Sequence, residues 1–259
     1  MTFESHPNSM HSTPRVSPRL STALGGVIHL TWAQQVVRRN VVWSVLLLAA
    51  IGGVGLMLSQ YGDPQRFINW LNQIFLMLSV PLVSFDAGAR AIREDLKPGA
   101  VDYIITRPVP RWGYAMFKYI AQWCVIMPLA LGGLGMMLLL AQALEVQLLP
   151  MAVYVGVTMA GVSAFLALGF LMGSLTSRYV LLGLFYAGLI EAAVGNIPTQ
   201  LNNLSILRHL RIALSGHIRE SGPIVQEIGL VFLIAVGLLA TAMLIFSRKE
   251  FIGKRADEG

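Results

Sequence analysis

Residues 150–197 read Pro150-M-A-V-Y-V-G-V-T-M-A-G-V-S-A-F-L-A-L-G-F-L-M-G-S-L-T-S-R-Y-V-L-L-G-L-F-Y-A-G-L-I-E-A-A-V-G-N-Ile197. The only charged side chains in this run are Arg178 and Glu191. As one helix it would extend about 70 Å at about 1.5 Å per residue. The hydrocarbon core of a bilayer is only about 30 Å thick. The run must therefore turn back on itself. The break is T-S-R, with Arg178 at an interface, and two membrane spans result: Pro150–Leu175 and Tyr179–Ile197.

The rest of the chain agrees with this reading. Of 259 residues, 55% are hydrophobic and 12% are charged. Soluble domains carry about 25% charged residues. Four further apolar runs reach spanning length: Val41–Ser59, Phe67–Gly88, Tyr114–Leu144 with Pro128 as a kink, and Ile224–Phe246. The expected fold is an all-α integral membrane protein with six transmembrane helices. Residues 27–39 are amphipathic, with Ile28, Trp32 and Val36 on one face and Arg38 and Arg39 at the end. They read as an interfacial helix feeding the first span. His29 reads as an interfacial residue. Residues 1–24, rich in Ser, Thr and Pro, read as a disordered cytoplasmic tail with no apolar core of a signal peptide. The membrane domain covers 25–250, and 251–259 form a C-terminal tail.

Basic residues fix the expected orientation. With the N-terminus inside, fifteen of the 19 Lys and Arg residues fall on the cytoplasmic side. Only Arg66, Arg208, Arg211 and Arg219 fall outside. Both termini are therefore expected inside. The net charge of +6 marks cytoplasmic ends and does not point to nucleic acid.

Several chemistries lack their residues. There is no G-x-x-x-x-G-K-S/T loop to cradle nucleotide phosphates. No His or Cys cluster has metal-ligand spacing, so no metal site and no catalytic residue is assigned. Cys124, the single cysteine, lies in an apolar run and reads as a small buried side chain. Of the five histidines, His6 and His11 lie in the tail, and His29, His209 and His217 form no constellation with it. G-F-L-M-G at Gly169–Gly173 allows close helix packing, a weak signal among 25 glycines.

Two acids lie in spans. Asp86 sits four residues before Arg90, the spacing of a helical ion pair. Glu191 lies 13 residues beyond Arg178, about 20 Å along a helix. A charge at mid-bilayer costs about 2.5–3.5 kcal/mol. Glu191 should therefore line a translocation path, partner Arg208 or Arg211, or sit near the interface where its helix ends. After it, Leu204, Leu207, Leu210 and Leu214 recur at three to four residues, with Arg208 and Arg211 on another face. This predicts an amphipathic helix at the outer membrane surface, bracketed by Pro198 and Gly222-Pro223.

The densest charge stands between the second and third spans, in R-E-D-L-K-P-G-A-V-D-Y-I-I-T-R-P-V-P-R-W from Arg93 to Trp112. Pro98 suits the first turn of a helix, and Pro108 disfavours a helical Arg107. A helix of about two turns results, with Val101, Ile104 and Ile105 on one apolar face. A plain charged anchoring loop would explain the arginines but neither this face nor the prolines.

This segment resembles the second-to-third connection of the ABC-2 type permease family, which reads E-x-G-T-L-E-x-L-L-x-R-P-V-S-R. Here it is Glu94-D-L-K-P-G-A-V-D-Y-I-I-T-R-P-V-P-Arg111, with Gly99, Asp102, Ile105, Arg107, Pro108, Val109 and Arg111 in matching places. Ala100 and Asp102 stand where the family has Thr and Glu. The resemblance implies the membrane subunit of an ATP-binding cassette transporter. Its coupling helix would dock on a separate cytosolic ATPase subunit, present in two copies, through Glu94, Asp95, Gly99, Val101, Asp102, Ile104, Ile105, Arg107, Pro108 and Arg111. The segment with Trp32, Arg38 and Arg39 would be the family's elbow helix. It also implies a second permease copy or related permease, a bacterial inner-membrane location, and ATP and Mg held by the partner, with no cofactor on this chain. An alternative is a scaffolding or mechanotransmitting subunit that conducts no substrate and passes motion to an extracytoplasmic partner at the outer segment with Leu204, Arg208 and Arg211. A membrane enzyme is disfavoured by the missing catalytic clusters.

Overall fold

The computed structural model describes residues 64–96, 111–143, 145, 146, 148–193, 203–215 and 221–248, with a few isolated helical positions before residue 58. All regular elements among the described residues are helical. Helix α1 runs through Pro64–Asn69, Trp70–Ser79 and Val80–Asp95. Helix α2 is Arg111–Ala143 and α3 is Met151–Leu175. Helix α4 is Tyr179–Tyr186, continued by Ala187–Ala193. Helix α5 is Ile206–Ser215 and α6 is Ser221–Arg248.

Four of these, α1, α2, α3 and α6, are long and apolar enough to cross a membrane. Six spans are expected from the sequence. Of the first of them and of the elbow segment only isolated positions are described. The fifth, α4, is shorter than a full span in its described part. The boundaries of α3 and the T-S-R turn fall where charge and length place them, with Pro150 preceding α3 and Arg178 preceding α4.

Other boundaries move. α1 does not stop near Gly88 but continues to Asp95, and α2 already begins at Arg111. Arg90, Arg93, Glu94 and Asp95 are thus helical rather than part of a loop, which confines the connection to 97–110. Gly222 and Pro223 lie inside the first turn of α6 rather than ahead of it. A proline fits there because the first N–H groups of a helix have no intrahelical acceptor.

α3 is the central helix and packs against α1, α2, α5 and α6. Its small residues let the neighbours come close. A Cβ built on Gly169 would lie 2.0 Å from the Phe85 carbonyl oxygen, and one on Gly173 would lie 2.5 Å from that of Ala89. From the other side, a Cβ on Gly88 would lie 2.2 Å from the Leu166 carbonyl oxygen. α1 and α3 therefore touch backbone to backbone. The G-x-x-x-G spacing that is weak as a sequence signal is half of this crossing.

Two stretches of helix are wider than an α-helix. In Trp70–Ser79 the bonds shift to the fifth residue, as in Val80 N–H to the Phe75 carbonyl, and the Ser79 hydroxyl donates to the Ile74 carbonyl at 2.6 Å. The pattern resets just before Pro81, which has no N–H to offer. The second wide stretch, Ala187–Ala193, carries Glu191. On α2, Tyr119 donates to the Ser163 carbonyl and Trp123 to the Ser163 hydroxyl, each at 2.9 Å, which binds α2 to α3 beside Pro128. α6 is different: only 17% of its apolar window is buried, and Val225, Leu233, Val236 and Leu244 are exposed.

The crossing gives a direct expectation. Gly169→Ala must push α1 away from α3 and should lower stability by about 1–3 kcal/mol. Gly237→Ala, where an added Cβ meets nothing within 4 Å, should be neutral or stabilising by up to about 1 kcal/mol. Thermal unfolding of the two variants in detergent distinguishes them, and equal midpoints would contradict the crossing.

Candidate functional site

Among the described residues, partly buried acids and their partners gather at two places in the apolar bundle. The first joins the end of α1 to the start of α2. Asp95, the last residue of α1, accepts from Lys118 Nζ at 3.1 Å through one carboxylate oxygen and from the Tyr114 hydroxyl at 2.9 Å through the other. The Lys118 side chain is 5% exposed and that of Asp95 is 14% exposed. Charges this dry are stable only as partners. The Tyr114 ring stacks on Phe246 of α6, with centroids 6.5 Å apart. α1, α2 and α6 are thus fastened at one point, and the 97–110 connection starts and ends there. One helical turn back, Arg90 bonds Asp86 at 2.8 Å, as their spacing predicts.

The second cluster surrounds α5. Glu191 accepts four hydrogen bonds. The Tyr186 hydroxyl and the Ile206 N–H reach Oε1 at 2.9 and 3.1 Å. The Ser205 hydroxyl and the Leu207 N–H reach Oε2 at 2.6 and 3.1 Å. The carboxylate therefore caps the N-terminus of α5, where free N–H groups and the helix dipole favour negative charge. Ser205 adds an ordinary N-cap, accepting from the Arg208 N–H at 3.2 Å. The Arg208 side chain turns to the Asn203 side-chain oxygen at 3.1 Å, and Arg211 is exposed.

α5 matches the predicted amphipathic segment, but its buried face is shifted. Ile206, Leu210, Ala213 and Leu214 are buried, whereas Leu207 is half-buried and Leu204 is exposed just ahead of the helix. His209 is on the buried face. Its Nδ1 meets a Glu227 carboxylate oxygen on α6, and its Nε2 lies 3.0 Å from the Asn203 carbonyl oxygen. The two clusters lie at opposite ends of the bundle. On α6, Phe246 belongs to one and Glu227 to the other, about 28 Å apart by helical rise.

Of the residues singled out in the sequence, Glu94 and Asp95 close α1 and Arg111 opens α2. Gly99, Val101, Asp102, Ile104, Ile105, Arg107 and Pro108 lie outside the described residues, as do Trp32, Arg38 and Arg39. The sequence assigns no role to Tyr114 or Glu227 and names no partner for Lys118 or His209. Their partners lie 18 to 23 residues away on other helices, so no local pattern reports them. Among the described residues no group of three or more His, Cys, Asp or Glu is placed to hold a metal ion. No protein-family model and no curated protein sequence matches the chain.

Two outcomes follow from these contacts. Lys118→Met strands a desolvated carboxylate and should cost about 3–5 kcal/mol. The double change Asp95→Asn with Lys118→Met should cost clearly less than the two single changes added, in a double-mutant cycle of unfolding in detergent. Glu191→Gln turns an amide toward the N–H donors of α5. It should speed amide exchange at Ile206–Leu210 by about tenfold or more while leaving the interior of α6 unchanged.

Proposed function

We propose that the chain is the membrane subunit of an ATP-binding cassette transporter of the ABC-2 type, in a bacterial inner membrane. It carries no phosphate-cradling loop. ATP and Mg would be bound by a separate cytosolic ATPase, present in two copies, and a second permease would complete the assembly.

The observation that carries the reading is the clamp of Asp95, Lys118 and Tyr114 with Phe246 behind it. It supports the reading in a mechanical sense. A short amphipathic segment over 97–110 hangs from two helices whose ends cannot separate without exposing a buried ion pair. A push on that segment by an ATPase reaches α1, α2 and α6 together. The apolar face of Val101, Ile104 and Ile105 would enter a cleft on the ATPase, with Arg107 and Arg111 on its acidic rim. α1 would pass the motion to α3 through the glycine crossing.

Transmission of motion without conduction is a second reading. It is favoured by α5, which carboxylates on α4 and α6 both hold. Movement of either helix would reach Leu204 and Arg211 at the opposite end of the bundle.

The test is copurification from native membranes. Val101→Asp or Ile104→Asp should abolish recovery of an ATPase subunit and leave membrane insertion intact. Undiminished recovery with either variant would overturn the coupling assignment.

A further inference from the structure

The contacts of His209 need one more proton than the neutral imidazole provides once Glu227 is ionised. The ring is buried, with its side chain 3% exposed, and both nitrogens are engaged. The Asn203 carbonyl oxygen can only accept, so Nε2 carries a proton. Nδ1 meets a carboxylate oxygen of Glu227. A ring whose one proton sits on Nε2 offers only a lone pair at Nδ1, and a carboxylate offers only lone pairs, so a hydrogen bond between them requires a second proton. The pair is then either imidazolium with carboxylate or imidazole with carboxylic acid. In both forms it is neutral overall. Without that proton the pair is negative, and the ring has a single N–H for two acceptors. Whichever tautomer it adopts, one of the two contacts fails.

We propose that His209 and Glu227 form a binding site for one proton, and that its occupancy holds α5 against α6. The Glu227 side chain is 20% exposed and lies in the first turn of the span Ile224–Arg248, so the proton would exchange at the membrane surface. When it leaves to solvent, α5 loses either its tie to α6 or the tie that closes its own entry turn at Asn203.

Among the described residues, the neighbouring elements leave this proton to the pair. α6 supplies Glu227 itself. α3, which packs on α5, has one ionisable side chain, the buried Tyr154. The wide turn Trp70–Ser79 has no ionisable side chain. The wide turn Ala187–Ala193 brings Glu191, whose two oxygens are occupied by Tyr186, Ser205 and the N–H groups of Ile206 and Leu207. On α5, the Arg208 side chain is bonded to Asn203 and Arg211 is exposed. Neither His209 nor Glu227 has a part in the docking of an ATPase, so the site stands or falls apart from the transporter reading.

Glu227→Gln separates a proton site from a merely structural contact. The glutamine amide can donate to Nδ1 of a neutral imidazole, which satisfies both contacts with no proton to lose. Amide exchange of residues 206–215 is measured on the full chain in lipid nanodiscs, from about pH 5 to about pH 8, after correction for the intrinsic pH dependence of exchange. In the wild type the protection of α5 should fall about tenfold or more as the pair loses its proton. In Glu227→Gln it should stay flat. A flat wild-type profile, or the same fall in both proteins, would overturn the proposal. Should the variant fail to fold, the wild type decides alone. The imidazole ¹⁵N signals of His209, identified by their absence in His209→Gln, should move over the same pH interval in which α5 loosens. Signals that stay fixed while α5 loosens would also overturn it.

Discussion

Where α1 and α3 cross, the backbone of one helix rests on the backbone of the other, and most of the bundle is arranged around that contact. Helices in lipid gain nothing from hiding apolar surface from one another, because the lipid is as apolar as they are. What remains is close packing, and packing is closest where Cβ atoms are missing. Gly88, Gly169 and Gly173 supply that absence at one crossing. α3 then has its other flanks free for α2, α5 and α6. The Phe85 ring, on the same turn of α1, meets Gly183 of α4, where an added Cβ would lie 2.4 Å from it. One crossing thus positions the long helices and the short one together.

Around this apolar centre three carboxylates among the described residues, Asp95, Glu191 and Glu227, hold partners near the ends of the bundle. Asp95 and Lys118 neutralise each other beside Tyr114. Glu191 is neutralised by a helix terminus rather than by a basic side chain. His209 and Glu227 are held to each other. A bilayer imposes this arrangement, because an isolated charge there is expensive. The same constraint makes each cluster a place where helices can be moved together. Disturbing one partner leaves the other without a counter-charge or a donor.

Much of the fold is legible in the chain itself. Apolar length places four of the six expected spans, and Arg178 marks the turn between α3 and α4 to within a residue. The leucine spacing finds α5. Bilayer thickness and helical periodicity are local properties, so a local pattern carries them. The contacts between helices are not local. Tyr114 and Asp95 are 19 residues apart, and Lys118 and Asp95 are 23 apart, so nothing in either neighbourhood names the other. The ends of α1 and α2 shift for that reason: a carboxylate that finds a lysine and a tyrosine can remain helical where its charge alone predicts a loop.

Glu191 shows the limit most clearly. An acid in an apolar run must find a counter-charge, and the obvious candidates are Arg208 and Arg211. The carboxylate instead takes two backbone N–H groups, which every residue but proline possesses and which leave no mark in a sequence. The legible trace is indirect. Ser205 is an N-cap residue, so α5 begins just after it and offers free donors there. Where a helix start and an isolated acid lie at the same depth in a membrane, a terminus is as good a partner as an arginine. It costs less side-chain entropy, because the backbone is already ordered. That preference leaves Arg208 to Asn203 and Arg211 exposed, and it makes the position of α5 depend on α4 through a rigid backbone contact rather than through two long, mobile side chains.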